Sequence, residues 1–188
     1  NIIGSRGSVV EVWRAALARG QALQVTDPAM SRFYMTPKDA VRLVTWTAVH
    51  GLRGGVVVPH LPAFCLTDLA RAMLPDGHHY TVVGKRPGEK LAEALMTDDE
   101  QHRASWYGPS FPVPVSYVIP PLTHHWGACD ERALWHTALA ETVHGDMADV
   151  FGAQTPYTSD CWPWRLSVQD LRDRLAAMAS IEDALPRV

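Results

Sequence analysis

The chain has 188 residues, 47% of them hydrophobic and 20% charged, with a formal net charge of −3. That length suits one domain burying roughly 70% of its unfolded surface, and the weak charge speaks against a nucleic-acid-binding face or an acidic tail. No apolar run approaches the roughly 18 residues of a membrane-spanning helix, and Cys65, Cys129 and Cys161 lack the spacing of a disulfide framework or zinc knuckle, so the expected compartment is the cytoplasm.

Along the chain, Asn1-Ile2-Ile3 is an apolar opening without a Met, which reads as the continuation of a longer protein. Ser8 and Glu11 have capping-box spacing, and Val9, Val12, Trp13, Ala16 and Leu17 then share a helical face that ends near Arg19, with Gly20 as the terminator. Leu23 to Thr26 reads as a short strand broken by Asp27-Pro28, and Phe33 to Met35 as extended. Thr36 as cap and Pro37 at the first helical position start a second helix running to His50. Val56-Val57-Val58-Pro59 is a buried strand, expected to pair with strands outside this chain. Thr67 to Leu74 is a helix stopped by Pro75, and Tyr80 to Val83 a strand. Residues 84–90 form a loop entering a helix that carries Leu91 and Leu95. Trp106 to Leu122 is proline-rich and expected irregular, and Leu134 to His144 is expected helical. Ser167 caps a last amphipathic helix, to Met178, with Val168, Leu171 and Leu175 on one face. Strands alternating with helices at short spacing indicate an α/β fold.

Three stretches carry candidate chemistry. Gly4-Ser5-Arg6-Gly7-Ser8 precedes a helix, where backbone N–H groups, the helix dipole and a guanidinium suit phosphate oxygens; a plain capped turn has the same composition. In Gly84-Lys85-Arg86-Pro87-Gly88-Glu89-Lys90 a tight turn presents Arg86, with Glu89 to orient it or take a sugar hydroxyl; the bland alternative is a surface ion pair. Arg32 lies among apolar neighbours and either needs an anion or reaches solvent. The paired histidines, His78-His79 and His124-His125, point to opposite sides of an extended chain without acidic ligands at suitable spacing, so no metal site is expected.

Several of these motifs recur together in one family. GSRGSVV, TDPAMSRFYMT, GGVVVP, LARAM, GKRPGEKLAEAL with TDDE, SYVIPP and YTSDCWPWRLSVQDLR stand here in the order that resembles the C-terminal half of bacterial UDP-N-acetylglucosamine 4,6-dehydratases. These are extended short-chain dehydrogenase/reductases of surface-polysaccharide and flagellar-sugar synthesis, and the match is nearest to the inverting, 5-epimerising type that starts pseudaminic acid synthesis.

The resemblance implies that residues 1–188 form the substrate-binding lobe of a two-lobed enzyme, with the last strands of its Rossmann sheet. The NADP (or NAD) cradle and the catalytic groups would lie in an N-terminal portion outside this chain, so no catalytic residue is expected here and the chain alone should be inactive. By motif, Asn1 would contact substrate near the diphosphate, and Ile2, Ile3, Gly4, Ser5 and Arg6 would run along the cofactor. Val9 and Thr26 would touch the nucleotide, and Arg86 would grip the diphosphate with Arg32 and Glu89 in support. Tyr157, Thr158, Ser159 and Asp160 would belong to a loop closing over the sugar, although the family's asparagines are replaced here by Cys161 and Trp162. The implied partner is a UDP-sugar, with neither nucleic acid nor membrane, and the full-length form is expected to be a homo-oligomer. Two alternatives remain at this level: a non-catalytic sugar-nucleotide-binding module, and an epimerase or reductase on the same fold.

Overall fold

The computed structural model describes residues 2–50, 54–75, 78–107, 116–120, 143–146 and 157–184. In chain order these hold α1 (Val9–Ala18), β1 (Leu23–Val25), β2 (Ser31–Phe33), α2 (Pro37–His50), β3 (Val56–Pro59), β4 (Ala63–Cys65), α3 (Leu66–Met73), β5 (Tyr80–Val82), α4 (Asp98–Arg103), β6 (Ser105–Tyr107), β7 (Ser116–Ile119), β8 (Val143–Asp146) and α5 (Val168–Ala184). Parallel and antiparallel pairings both occur, so the α/β expectation holds: β1 lies parallel to β5, β2 antiparallel to β4, and the other four strands form an antiparallel sheet in the order β3-β7-β6-β8.

Local chemistry sets the helix ends. α1 stops where the Gly20 and Gln21 amides fold back on the Leu17 and Ala16 carbonyls, both at 2.9 Å, with Gly20 at φ 67°. Thr36 and Asp39 cap α2 reciprocally, and Ser167 and Asp170 do the same for α5. At α1 the expected Ser8 box does not form. The Glu11 carboxylate instead accepts from the Gly7 amide at 2.7 Å, one residue early, and the Ser8 side chain makes no capping bond. The buried stripe of α1 is also turned from the expected one: Val10 and Trp13 are buried, whereas Val12 is exposed.

Two apolar cores meet along the β2–β4 ribbon. Trp13, Leu23, Val25, Tyr34, Phe64, Leu69 and Leu171 lie in one; Phe33, Ala63, Tyr117, Tyr157 and Trp162 lie in the other. Successive side chains of a strand point to opposite faces, so Phe33 and Tyr34, or Ala63 and Phe64, feed different cores. The second core is aromatic. The Tyr157 ring stands edge-on to Phe33 and Tyr117, with centroids 5.1 and 5.4 Å away, and 4.2 Å from Trp162.

Three expectations are corrected, and a fourth falls mostly outside the described residues. Val56 to Pro59 has a partner within the chain, since β7 pairs with one of its edges residue for residue, and it is buried only toward Pro59, Val56 being exposed. The stretch from Trp106 to Leu122 contains β6 and β7 rather than irregular chain throughout. No helix carries Leu91 and Leu95. The Leu91 carbonyl accepts from the Ser31 amide, Ala94 bridges to Thr158, and the Leu95 amide donates to the Tyr157 carbonyl, so the backbone there is engaged across chain segments. The helix begins instead at Asp98, behind a Thr97–Glu100 capping box. For the helix expected over Leu134 to His144, residues 134–142 lie outside the described residues, and Val143 and His144 belong to β8.

The Tyr157 hydroxyl accepts from the Leu61 amide at 2.8 Å and donates to the Pro59 carbonyl at 2.6 Å. Tyr157→Phe leaves both backbone groups buried without that partner and should cost about 2–4 kcal/mol, read as a lower urea midpoint. Burial lowers the His60 pKa from 6.5 to about 4. Between those values the unfolded chain binds the extra proton, so His60's contribution is complete above pH 6.5 and fades as pH falls toward 4. Urea midpoints measured across that window should fall with acidification, with a shallower slope in His60→Gln.

Candidate functional site

Parallel pairing brings the C-terminal ends of β1 and β5 to the same side, and the Val83 amide extends the ladder to the Val25 carbonyl at 2.9 Å. Such ends, facing a helix N-terminus, form the usual crevice of a parallel α/β unit. Here the crevice is a cleft of about 840 Å³ between α1, the β1–β5 pair and the loop after β5.

One wall is the start of α1 and the turn before it. Ser5 Oγ donates to the Ile2 carbonyl at 2.8 Å, and Gly4 and Gly7 both have φ above 70°. A Cβ at Gly4 would also stand 2.5 Å from Met178 Cε, so the end of that flexible side chain would have to shift. The Glu11 carboxylate on the Gly7 amide already places negative charge at this helix end, so the first anion-binding amide is occupied from within. Arg6 is exposed beside it on the cleft. Trp13 ties this wall to the next: its indole N–H donates to the Gln24 carbonyl at 3.1 Å.

The opposite wall carries Thr26, Thr81, Val83, Arg86 and Glu89. Thr26 Oγ1 donates to Met30 Sδ at 3.1 Å. Arg86 and Glu89 bracket a tight turn: the Arg86 amide donates to Glu89 Oε2 at 3.0 Å, and the Glu89 amide to the Arg86 carbonyl at 3.1 Å. Glu89 therefore shapes the turn through the Arg86 backbone. No described residue accepts from the Arg86 guanidinium, which is exposed on the cleft. Among the described residues, Arg6, Arg19, Arg32 and Arg86 line the cleft against one carboxylate, Glu89. Cationic groups above an apolar floor of Trp13, Met30 and Phe64 suit an anion with an apolar or aromatic body.

Of the residues singled out in the sequence, Ile2, Ile3, Ser5, Arg6, Val9, Thr26, Arg32, Arg86 and Glu89 come together around this one cleft. Gly4 lies behind its wall, and Asn1 lies outside the described residues. Tyr157 to Asp160 are not on the walls. Tyr157 and Ser159 are fully buried in the fold. Thr158 is half-buried, and its hydroxyl holds the exposed Asp160 carboxyl below the usual carboxylate range. Trp13, Gln24, Thr81 and Arg19 also line the cleft; the α1 stripe had marked Trp13 as core only. The catalytic groups expected outside the chain would include a Tyr-x-x-x-Lys pair, and that spacing does occur once here, at Tyr34 and Lys38. It forms no catalytic pair. The Tyr34 hydroxyl is buried 3.6 Å from Met178 Sδ, whereas Lys38 is exposed on the first turn of α2.

Residues 1–114 match the family described as Polysaccharide biosynthesis protein. The chain is 37% identical over 105 residues to UDP-N-acetylglucosamine 4,6-dehydratase (inverting) of Campylobacter jejuni subsp. jejuni serotype O:2, covering 54% of this chain and 30% of that protein. It is 31% identical over 118 residues to UDP-glucose 4-epimerase of Rickettsia canadensis, covering 61% of this chain and 35% of that one. Among solved structures it resembles Pen from Bacillus thuringiensis, with TM-score 0.67 and 25% identity over 94% of this chain and 46% of that one. The chain thus matches about a third of the length of these curated relatives.

Gly4→Ala and Gly7→Ala both force an L side chain into the left-handed region, costing about 1–2 kcal/mol each, but a Cβ at Gly7 meets open space. Gly4→Ala should therefore lower the melting temperature more than Gly7→Ala, and Gly4→Ala with Met178→Ala should recover part of the difference.

Proposed function

The chain belongs to the polysaccharide biosynthesis protein family, and from that premise we propose that it is the UDP-sugar-binding, C-terminal lobe of a UDP-N-acetylglucosamine 4,6-dehydratase. One observation carries the reading: the Arg86 turn and the Arg6 turn face one cleft whose floor is apolar. A UDP-sugar has the matching parts, a diphosphate for the guanidinium groups and a base and ribose for the floor. Binding energy on this remote handle would align the hexose with groups supplied elsewhere.

The reaction of the whole protein would use a nicotinamide cofactor, NADP or NAD, which supplies hydride transfer at the sugar. The sequence has no G-x-x-G-x-x-G turn, so the cradle for that group would lie outside this chain, and the segment from Ile2 to Arg6 would run along its edge. This lobe's own part is to bind and orient the sugar nucleotide. The cytoplasmic location and homo-oligomeric state belong to the same proposal. A second reading has direct support: relatives named UDP-glucose 4-epimerase match a slightly longer stretch of the chain. Both reactions need the same UDP grip, and the product formed by the full-length protein from each UDP-sugar separates them.

Titration calorimetry of the chain with UDP, UMP and uridine tests the site. UDP should bind more tightly than UMP, and uridine most weakly. Arg86→Ala should weaken UDP by ten- to a hundredfold, the equivalent of about 1.5–3 kcal/mol of charge-assisted hydrogen bonding, and leave uridine unchanged. Absence of UDP binding by the folded wild-type chain, or an unchanged affinity in Arg86→Ala, overturns the reading.

A further inference from the structure

Arg32 lies on the cleft, yet its guanidinium is turned into protein. Nη1 donates to the Ser31 and Leu91 carbonyls at 2.6 and 3.1 Å, Nη2 donates to the Lys90 carbonyl at 2.9 Å, and Nε stands 3.5 Å from Glu93 Oε1. All three nitrogens are engaged, so no two-pronged fork is left for a phosphate. The residues it holds, Lys90 to Glu93, directly continue the turn that carries Arg86 and Glu89.

Beneath this clamp is a buried polar joint. Ser31 Oγ and Ser159 Oγ are 2.8 Å apart across 128 residues of sequence. Ser159 Oγ also accepts from the Glu93 amide at 2.9 Å, and the Ser159 amide donates back to the Glu93 carbonyl at 2.8 Å. Arg165 donates to the Ser159 carbonyl at 3.2 Å. The turn's other stem is fixed by the β1–β5 ladder through Val83. Both stems of a short exposed loop are thus anchored, one by a sheet and the other by Arg32 together with the Ser31 amide, which donates to the Leu91 carbonyl at 2.9 Å, and Ser159.

We propose that Arg32 is a positioning residue that holds the Arg86–Glu89 turn at the cleft, with the Ser31–Ser159–Glu93 hydrogen bonds as its footing, and that it does not itself grip the ligand. The proposal rests on the UDP-sugar reading of the cleft. It also gives the segment from Tyr157 to Asp160 a part in the site without contact: Ser159 secures the stem of the turn from behind. Loss of the clamp lets the turn sample other conformations, and Arg86 must then be ordered at the moment of binding.

The test is a double-mutant cycle on the 188-residue chain, with UDP as the probe and calorimetry as the readout. Arg32→Lys retains the charge and the stem but cannot span the Lys90 and Leu91 carbonyls together with Glu93. It should weaken UDP by about tenfold, and by no more than about twofold in an Arg86→Ala background, because residues acting through one another are non-additive. Hydrogen exchange of the unliganded variant should speed up at the Arg86 and Glu89 amides and stay unchanged at Leu69 and Ala70 in α3, which a general loss of stability would not achieve. Glu93→Gln gives the same comparison with less disturbance should Arg32→Lys fold poorly. Full multiplication of the two losses, or unchanged exchange at Arg86 and Glu89, overturns the proposal. A wild-type chain that fails to bind UDP removes the earlier reading instead, while the exchange result still decides whether Arg32 holds the turn.

Discussion

The β2–β4 ribbon is the constraint on which the rest of the molecule depends. Two strands of three residues are too short to be stable alone. They persist because each face is covered by a different core, because the ladder runs on at both ends, and because Ala63 is tied to distant chain. The Tyr34 amide donates to the Pro62 carbonyl and the Leu66 amide to the Met30 carbonyl, continuing the ladder; the Ala63 amide donates to the Trp164 carbonyl and the Leu166 amide to the Ala63 carbonyl. A slip of one residue would exchange Phe33 for Tyr34 and Ala63 for Phe64, and both cores would lose their fit together. Register here is therefore set by packing on two sides at once. The same register puts Arg32 opposite Phe64, at the edge of the cleft and beside the segment that carries Arg86.

The cleft follows from this arrangement more than from any phosphate motif. α1 has the glycine-rich approach of an anion site, but its Glu11 already occupies the Gly7 amide. The helix end is thereby partly neutralised, and the positive character of the site comes from side chains on two separate turns. Among the described residues, the only carboxylate on the walls, Glu89, is engaged with the Arg86 amide. Its hydrogen bond stabilises the turn without closing an ion pair over the guanidinium that the turn displays. A carboxylate on the backbone and a guanidinium toward solvent is the arrangement that leaves the cation available to a ligand.

What could be read in the sequence was local. Thr36 with Asp39 and Ser167 with the helix after it gave correct starts, because a cap and its partner are three residues apart and need nothing else. Gly20 gave a correct stop for the same reason. The β1 and β5 segments were visible as short runs stopped by Asp27-Pro28 and by Gly84, though their pairing was not. One failure was local: Ser8 has the same spacing to Glu11, but the Glu11 carboxylate takes the Gly7 amide instead. The other failures involve partners far away. Leu91 and Leu95 have helical spacing, but Ser31, Thr158 and Tyr157 take their backbone groups or those of their neighbours. β6 and β7 sit in proline-rich chain and exist because each pairs with the other. At the site, Arg6, Arg32, Arg86 and Glu89 were all identified by type and motif. What each does could not be, because the difference between a guanidinium facing a cleft and one facing three carbonyls is a matter of tertiary geometry. Tyr34 and Lys38 make the same point from the other side. Their spacing is that of a catalytic pair, yet one is buried against Met178 and the other is exposed on α2.

Preorganisation explains why a fold would devote one arginine to holding another. A guanidinium on a loose loop loses side-chain and backbone freedom when it meets a diphosphate, and that loss subtracts from affinity. Here the ordering happens during folding. Gly88, at φ 86°, allows the tight turn, Glu89 closes it, and Arg32 and the buried serine pair fix its stem. The cost falls on stability instead: Ser31 and Ser159 are buried hydroxyls that an apolar core would not need, and each is tolerable only while fully hydrogen-bonded. Polar groups in such a position bring little net stability by themselves. Their value lies in making one arrangement of the turn much better than its neighbours, so that the charge at its tip stands ready before any ligand arrives.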